Sequence, residues 1–198
     1  KKIYITFQFK HWHENEKRPY GVMTQNIGNI NDLSCFYEYA LYCKTLNISI
    51  QTFTKEAKKK LQDKSNEDII QKVTTQYGME ERTKKDYFIF TLDPSESNDF
   101  DDALSYHPTE HKISIYISNV ALIIDALDLW DSFSKRISTI YLPDRKRPML
   151  PTMLVNCLCS LKEKENKLCY VLDIFYDEKN KIIKQKLGVC KAFISKNY

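Results

Sequence analysis

Glycine is scarce in this chain, with four in 198 residues. Glycine-rich loops that let backbone approach and cradle a nucleotide's phosphates are therefore not expected. No apolar run approaches the ~20 residues that a bilayer-spanning helix needs, and no stretch resembles a signal peptide. The six cysteines, Cys35, Cys43, Cys157, Cys159, Cys169 and Cys190, include no CxxC pair. They read as reduced, buried thiols of an intracellular protein, whether nuclear, cytoplasmic or mitochondrial. Internal repeats and low-complexity tracts are lacking too. An initiating methionine is missing: the chain opens on Lys1, inside a strand-like run, which reads as a piece of something longer.

Disorder is excluded by what is present. Hydrophobic residues make up 42% and charged residues 28%, a globular balance, and the length suits one or two domains with real cores. The net charge of +4 is mild but hides a pattern. Between Asp93 and His111 lie six acidic residues and no Lys or Arg; between Lys135 and Arg147 lie five basic residues and one acid, Asp144. Such a pairing suits a metal-dependent phosphodiester enzyme, the acids holding metal and the basic stripe holding phosphates. Charge alone fits an uneven solvated surface equally well.

Periodicity outlines a mixed α and β chain. "KKIYITFQFKHW" alternates as a strand, "HENEKRPYG" is a turn, and "YGVMTQNIG" a second strand. Residues 32–46 suit a helix with Asp32 as N-cap. "TKEAKKKL" and "SNEDIIQKVTTQYG" follow as helices, the latter opening on Ser65 and stopping at Gly78. "DYFIFTLD" is an apolar strand that delivers Asp93, and "DDALSYHPTEHKISIYISNV" a hairpin turning at "HPTEH". "LIIDALDLWDSFSKR" is partly helical, and "STIYLPDRKRPMLP", with three prolines, is expected to be irregular. "TMLVNCLCSL" suits a short helix, and "LCYVLDIFYDEKNKIIKQKLGVCKAFI" a last hairpin.

The stretch "DPSESNDFDDA" places Asp93, Asp99, Asp101 and Asp102 within ten residues. Carboxylates this close repel, and each costs free energy to desolvate unless a cation compensates. Alternation puts Asp99 and Asp101 on one face of a strand and Asp102 on the other, so a bend is needed for all four to converge. Hard Mg²⁺ or Mn²⁺ takes such oxygen ligands. A calcium loop of the EF-hand kind needs a glycine and a register that are both missing here.

"TLDPSESNDFDDALSY" closely resembles the signature of the RNB family of exoribonucleases, the ribonuclease II/R and exosome-nuclease group. "ISIYISNV", "KRISTIYLPDRKRPMLP" and "LVNCLCSL" resemble further blocks of that family, in its order and at suitable spacing. More loosely, residues 3–41 resemble the last strands of the cold-shock (OB-fold) domain of exosome-type members. The resemblance implies an α+β fold: the end of an OB barrel over residues 1–50, a helical connector over 51–85, and the first part of an RNB domain over 86–198.

It also implies roles. Asp93, Asp99, Asp101 and Asp102 match the family aspartates that hold Mg²⁺ and activate water. Tyr141 matches a tyrosine that stacks on a base near the RNA 3′ end, and Arg136 an arginine able to touch backbone phosphate. The implied reaction is hydrolytic 3′–5′ release of nucleoside 5′-monophosphates from single-stranded RNA, with exosome core subunits as candidate partners. Departures stand at Asn98, Tyr116 and Asn119, where the family has other residues. The family's "H-x-TSPIRRY" helix would lie beyond Tyr198. A second class, an RNB-fold RNA-binding protein without catalysis, is disfavoured because all four aspartates are intact.

Two further features compete for attention. His11 and His13 of "HWH" would share a strand face, and His107 and His111 are four apart, yet no suitable cysteine accompanies them and zinc is not expected. Trp12 and Trp130 are expected to pack in cores rather than stack on RNA.

Overall fold

The computed structural model describes residues 2–133 and 135–198. In chain order its elements are β1 (Ile3–His11), β2 (Tyr20–Asn29), α1 (Leu33–Cys43), α2 (Gln51–Leu61), α3 (Asn66–Tyr77), β3 (Glu80–Arg82), β4 (Ile89–Thr91), β5 (Asp102–His107), β6 (Lys112–Ser118), α4 (Val120–Ala126), β7 (Ile140–Tyr141), β8 (Lys146–Arg147), α5 (Thr152–Leu154), β9 (Asn166–Tyr176) and β10 (Ile182–Asn197). The mixed α+β class is the expected one. The chain divides into two compact units, Lys1–Ser49 with Lys135–Met149, and Ile50–Ser134 with Leu150–Tyr198.

In the first unit, β1 and β2 pair antiparallel from Ile3↔Asn29 to His11↔Tyr20, with register shifts that add twist. Asp32 caps α1 by accepting from the Ser34 N–H at 2.9 Å, as the sequence suggested. Tyr39 of α1 stacks on Tyr4 of β1, ring centroids 4.4 Å apart. Gly28, at φ 131°, permits this approach, because a Cβ there would collide with Cys35 Sγ. The proline-rich stretch is not wholly irregular: β7 and β8 form a minimal antiparallel pair, Ile140↔Arg147 and Tyr141↔Lys146. Pro143 falls in its turn and Pro148 just past its end, so neither removes a ladder hydrogen bond.

The second unit is built on a sheet that closes on itself. β4, β5, β6 and β9 are joined antiparallel in sequence, β9 pairs with β10 from Tyr176↔Ile182 to Asn166↔Phe193, and β10 returns in parallel to β4. β3 runs parallel to β10 beside that closure. The β5–β6 and β9–β10 hairpins are the expected ones. The parallel pairings of β10 have no local sequence signal, since they join residues about a hundred positions apart.

The interior of this ring holds Ile89, Ala103, Tyr116, Cys169, Val171, Cys190, Ala192 and Ile194. It also holds charge. The Arg82 guanidinium donates from Nη2 to Asp173 Oδ2 at 2.7 Å and from Nη1 to Asp173 Oδ1 at 2.9 Å and to the Tyr116 hydroxyl at 3.0 Å. Ser114 Oγ donates to Asp173 Oδ1 at 2.6 Å, and the Ser105 and Tyr116 hydroxyls share a bond of 2.9 Å. Burial works against both charges, but the pairing outweighs it: Arg82 is held above its ordinary pKa and Asp173 below its own.

A second core lies among the helices of the same unit. Phe53 and Ala57 of α2, Ile69, Ile70 and Val73 of α3, Ile123 and Ile124 of α4, and Leu154 and Leu158 form one apolar cluster. Ser65 caps α3 by accepting from Asp68 N at 3.1 Å, and Gly78 ends it in the left-handed region at φ 56°. α2 begins three residues before the lysine-rich run predicts, because burial of Phe53 rewards an earlier start. After α5 the chain continues as a π-helix, Val155–Cys159.

Candidate active site

The acidic loop hangs between β4 and β5. Beyond β4 the Asp93 N–H donates to the Tyr198 carbonyl at 3.0 Å, and the Tyr198 N–H donates to the Thr91 carbonyl at 3.2 Å. This ties the first aspartate to the end of β10. A turn follows at Pro94–Ser97, closed by the Ser97 N–H donating to the Pro94 carbonyl at 2.8 Å.

The other half of the loop is pinned from two directions. The Phe100 N–H donates to Ser160 Oγ at 3.0 Å, and the Phe100 carbonyl accepts from Leu161 N at 2.8 Å. The Asp101 carbonyl accepts from the Ser118 N–H at 3.0 Å, at the end of β6. Phe100 also packs against the ring core. The π-helix places Ser160: its extra residue per turn ends the helix where the hydroxyl meets the loop, a frequent setting for π-bulges. Ser118 and Ser160 were not singled out from the sequence, although Ser160 lies in the "LCSL" block that resembled the family.

Strand geometry therefore governs only Asp102, the first residue of β5. Asp99 and Asp101 lie ahead of it on irregular backbone, which removes the alternation that would have sent neighbouring carboxylates to opposite faces. Asp101 registers the result. Its pKa is raised, first by partial desolvation and then by repulsion from Asp99, Asp102 and Asp93. Asp101 therefore lies within electrostatic reach of the other three carboxylates. Among the described residues, no three of them bring oxygens within 4.8 Å of one another.

One atom of the cluster is unusual. Asp93 Oδ2 is buried and has no hydrogen-bond partner. An anionic oxygen so placed is costly unless something positive satisfies it. Hard carboxylate donors with an orphaned oxygen fit a hard divalent cation and offer nothing to a soft one. Beside the loop opens a polar cleft of about 570 Å³, lined by Ser97, Asn98, Phe100, Asn156, Lys162 and Glu163 among others. Cys159, next to the pinning serine, is no nucleophile, since burial pushes its thiol up to about 12.

Two of the three departures from the family pattern fall on structural parts, and the third lies in the acidic loop. Tyr116 belongs to the buried Arg82 network. Asn119 is buried at the N-cap of α4, accepting from Leu122 N at 3.1 Å. Asn98 donates to the Glu96 carbonyl at 3.4 Å within the loop.

The remaining candidates sit in the first unit. Tyr141, on β7, is 77% exposed, with its ring available. Arg136 is buried instead, and its guanidinium donates from Nε and Nη2 to the Ile48 carbonyl and from Nη1 to that of Pro148, the last at 2.7 Å. In the basic stripe, Arg145 and Arg147 both pair with Glu38. Neither tryptophan is in a core: Trp12 is 61% and Trp130 49% exposed, each donating its indole N–H to a nearby oxygen.

Comparison with known proteins places this geometry. The RNB domain model matches residues 81–198. Ribonuclease R of Aquifex aeolicus is 34% identical over 101 residues, covering 49% of this chain and 14% of that protein. DIS3-like exonuclease 2 of Schizosaccharomyces pombe is 27% identical over 172 residues, covering 84% of this chain and 18% of its own length. The chain thus spans less than a fifth of these relatives. Among solved structures, Mycoplasma genitalium RNase R in complex with ribose-methylated single-stranded RNA superposes with a TM-score of 0.72 at 22% identity, covering 98% of this chain and 30% of that one. Yeast Ssd1, a pseudonuclease, superposes with a TM-score of 0.67 at 16% identity over 98% of this chain and 24% of its own. Both show the fold: the end of an OB-type barrel leading into the first part of an RNB domain. With the domain model covering more than half its residues, and the acidic loop lying inside the match, the chain belongs to the RNB family.

Proposed function

We propose that this chain carries the metal-binding part of a hydrolytic 3′–5′ exoribonuclease that releases nucleoside 5′-monophosphates from single-stranded RNA. The observation that carries the reading is the pinned loop, which concentrates Asp93, Asp99, Asp101 and Asp102 and leaves Asp93 Oδ2 without a partner. These four residues would hold Mg²⁺, or Mn²⁺ in its place. When bound, the ion supplies a water of lowered pKa and a countercharge for the leaving 3′ oxygen.

The protein's own groups do the rest. Ser160, Ser118 and the Tyr198 carbonyl fix the loop backbone, so that the carboxylates keep their spacing against mutual repulsion. The cleft beside Phe100 and Asn98 carries one cation among its described lining residues, Lys162, against Glu163 and Glu165, so a phosphodiester held there would need the metal's charge as well. Tyr141 offers an exposed ring on which a base can stack. Arg136, occupied by the Ile48 and Pro148 carbonyls, shapes the segment that presents Tyr141. Exosome-type assembly extends the same reading, supported by the resemblance of residues 3–41 to exosome nucleases.

A non-catalytic RNA-binding role is the second reading, favoured by the likeness in fold to the pseudonuclease. The intact aspartates support the first. The two are separated by incubating single-stranded RNA with the full-length parent protein and with its Asp101→Asn variant, with and without Mg²⁺. Release of 5′-mononucleotides that needs Mg²⁺ and falls by roughly 10²–10³-fold in the variant is expected. RNA binding without release from either protein would establish the second.

A further inference from the structure

We infer that the "HWHENE" turn closing β1 is a binding site for a divalent transition-metal ion of the zinc class, with His11, His13 and Glu16 as its ligands. Imidazole nitrogens of the two histidines and a carboxylate oxygen of Glu16 all lie within 4.8 Å of one another, the one such three-residue group among the described residues. His11 Nε2 stands 3.7 Å from Glu16 Oε1. Ligand atoms sharing a tetrahedral zinc ion, with bonds of about 2.0–2.2 Å, sit about 3.3–3.6 Å apart. Small side-chain rotations are enough to close the set.

The turn is shaped without the ion. The Glu16 N–H donates to the His13 carbonyl at 2.9 Å, the His13 N–H donates to Glu16 Oε2 at 3.1 Å, and the Trp12 indole donates to the Glu16 carbonyl at 3.0 Å. His11 is steadied by stacking on Tyr20, ring centroids 5.1 Å apart. Backbone and indole bonds therefore deliver the carboxylate to the histidines, which lowers the ordering cost of binding. An exposed His11–Glu16 ion pair would stabilise little and would not account for a second imidazole at the same point, 4.5 Å from the first.

The donor set fixes the class of ion. Two imidazoles and one carboxylate suit zinc, copper or nickel, whereas magnesium prefers oxygen alone. With His11 and Glu16 side chains 43% and 39% exposed, a fourth position faces solvent for water or an incoming ligand. From the sequence only the "HWH" pair was visible, one ligand short. The third arrives because the turn folds back. This site shares no residue with the aspartate cluster and does not depend on its function.

The test is titration of the 198-residue protein with Co²⁺ and Zn²⁺ at neutral pH, with Mg²⁺ in excess to occupy the carboxylate cluster. One Co²⁺ per chain is expected, with visible d–d absorption, no thiolate-to-metal charge-transfer band, and displacement by Zn²⁺. His11→Gln, His13→Gln and Glu16→Gln should each weaken binding at least as much as loss of an outer-shell partner does, about 10–100-fold. Circular dichroism and the metal-free melting temperature should stay unchanged, because all three side chains are accessible. Asp101→Asn should leave Co²⁺ binding intact. A charge-transfer band, wild-type binding in all three variants, or binding lost only with Asp101→Asn would overturn the assignment.

Discussion

The β1–β2 ribbon and the closed ring of β4, β5, β6, β9 and β10 are both built from alternating sequence and both leave an apolar strand face at the surface, yet only the ring also encloses a core, of Ile89, Val171 and Ile194 among others. On the ribbon, Ile3, Ile5, Phe7 and Phe9 of β1 fall on one face and all are exposed. In the ring, β6 turns Lys112, Ser114 and Tyr116 inward and leaves Ile113 and Ile117 at the surface. Alternation of period two says that a strand has two faces; it does not say which one will be covered. Covering depends on closure, and closure depends on pairings between distant segments.

The largest way to break the ring should be to orphan its buried charge. Asp173→Ala leaves Arg82, 1% exposed in its side chain, without its buried bidentate partner and with only the half-exposed Glu80, 2.9 Å from Nε, as countercharge, and should cost about 3 kcal/mol of unfolding free energy by denaturant titration. Replacing Arg82 and Asp173 together with apolar residues of similar volume should cost much less than either single change. Equal losses in single and double variants would show that the pair itself, rather than the uncompensated charge, supports the ring.

Acid tests the same pair with its atoms in place. Burial raises the Asp173 pKa, but the Arg82 guanidinium and the Ser114 hydroxyl outweigh it, and the folded value lies below the ordinary 3.8. The unfolded chain therefore binds this proton more readily than the folded one does. Asp173 contributes stability at pH values above the unfolded pKa, and that contribution is lost as pH falls from about 4 through the folded value. Stability of the wild type should decline over that window more steeply than that of Asp173→Asn; parallel profiles would assign the acid sensitivity elsewhere.

Smaller effects should come from the local signals. Gly78→Ala meets no atom within 4 Å but places a Cβ at φ 56°, and should lower stability by about 1 kcal/mol through backbone strain alone. Phe7→Ser on the ribbon, where the ring is 68% exposed, should change stability by no more than about 0.5 kcal/mol. A large loss there would mean that the ribbon face is covered in solution.

Much of the acidic site was legible because its information is local. The spacing of Asp93, Asp99, Asp101 and Asp102 brought these carboxylates together on the page before any fold was known, and their type suggested a hard cation. What periodicity misjudged was the backbone between them, which is held off strand geometry by Ser160, Leu161 and Ser118, residues 17 to 61 positions away. Arg136 shows the reverse case: its place in a basic stripe suggested an outward-facing cation, and burial against two carbonyls turned it inward. Charge density is readable along a chain, but the direction of a side chain is settled by what packs over it.

The sequence by itself determined the helix ends at Asp32, Ser65 and Gly78, the hairpins of β5–β6 and β9–β10, and the crowding of four aspartates between Asp93 and Asp102. Each follows from a residue's own conformational preference or from neighbours a few positions away. Only the tertiary structure decided that β10 returns in parallel to β3 and β4, that Arg82 and Asp173 meet inside the ring, and that Glu16 completes a set with His11 and His13. Where those contacts join distant segments, loop-closure entropy must be overcome by burial and hydrogen bonding across the whole unit, and no short stretch of sequence records that balance.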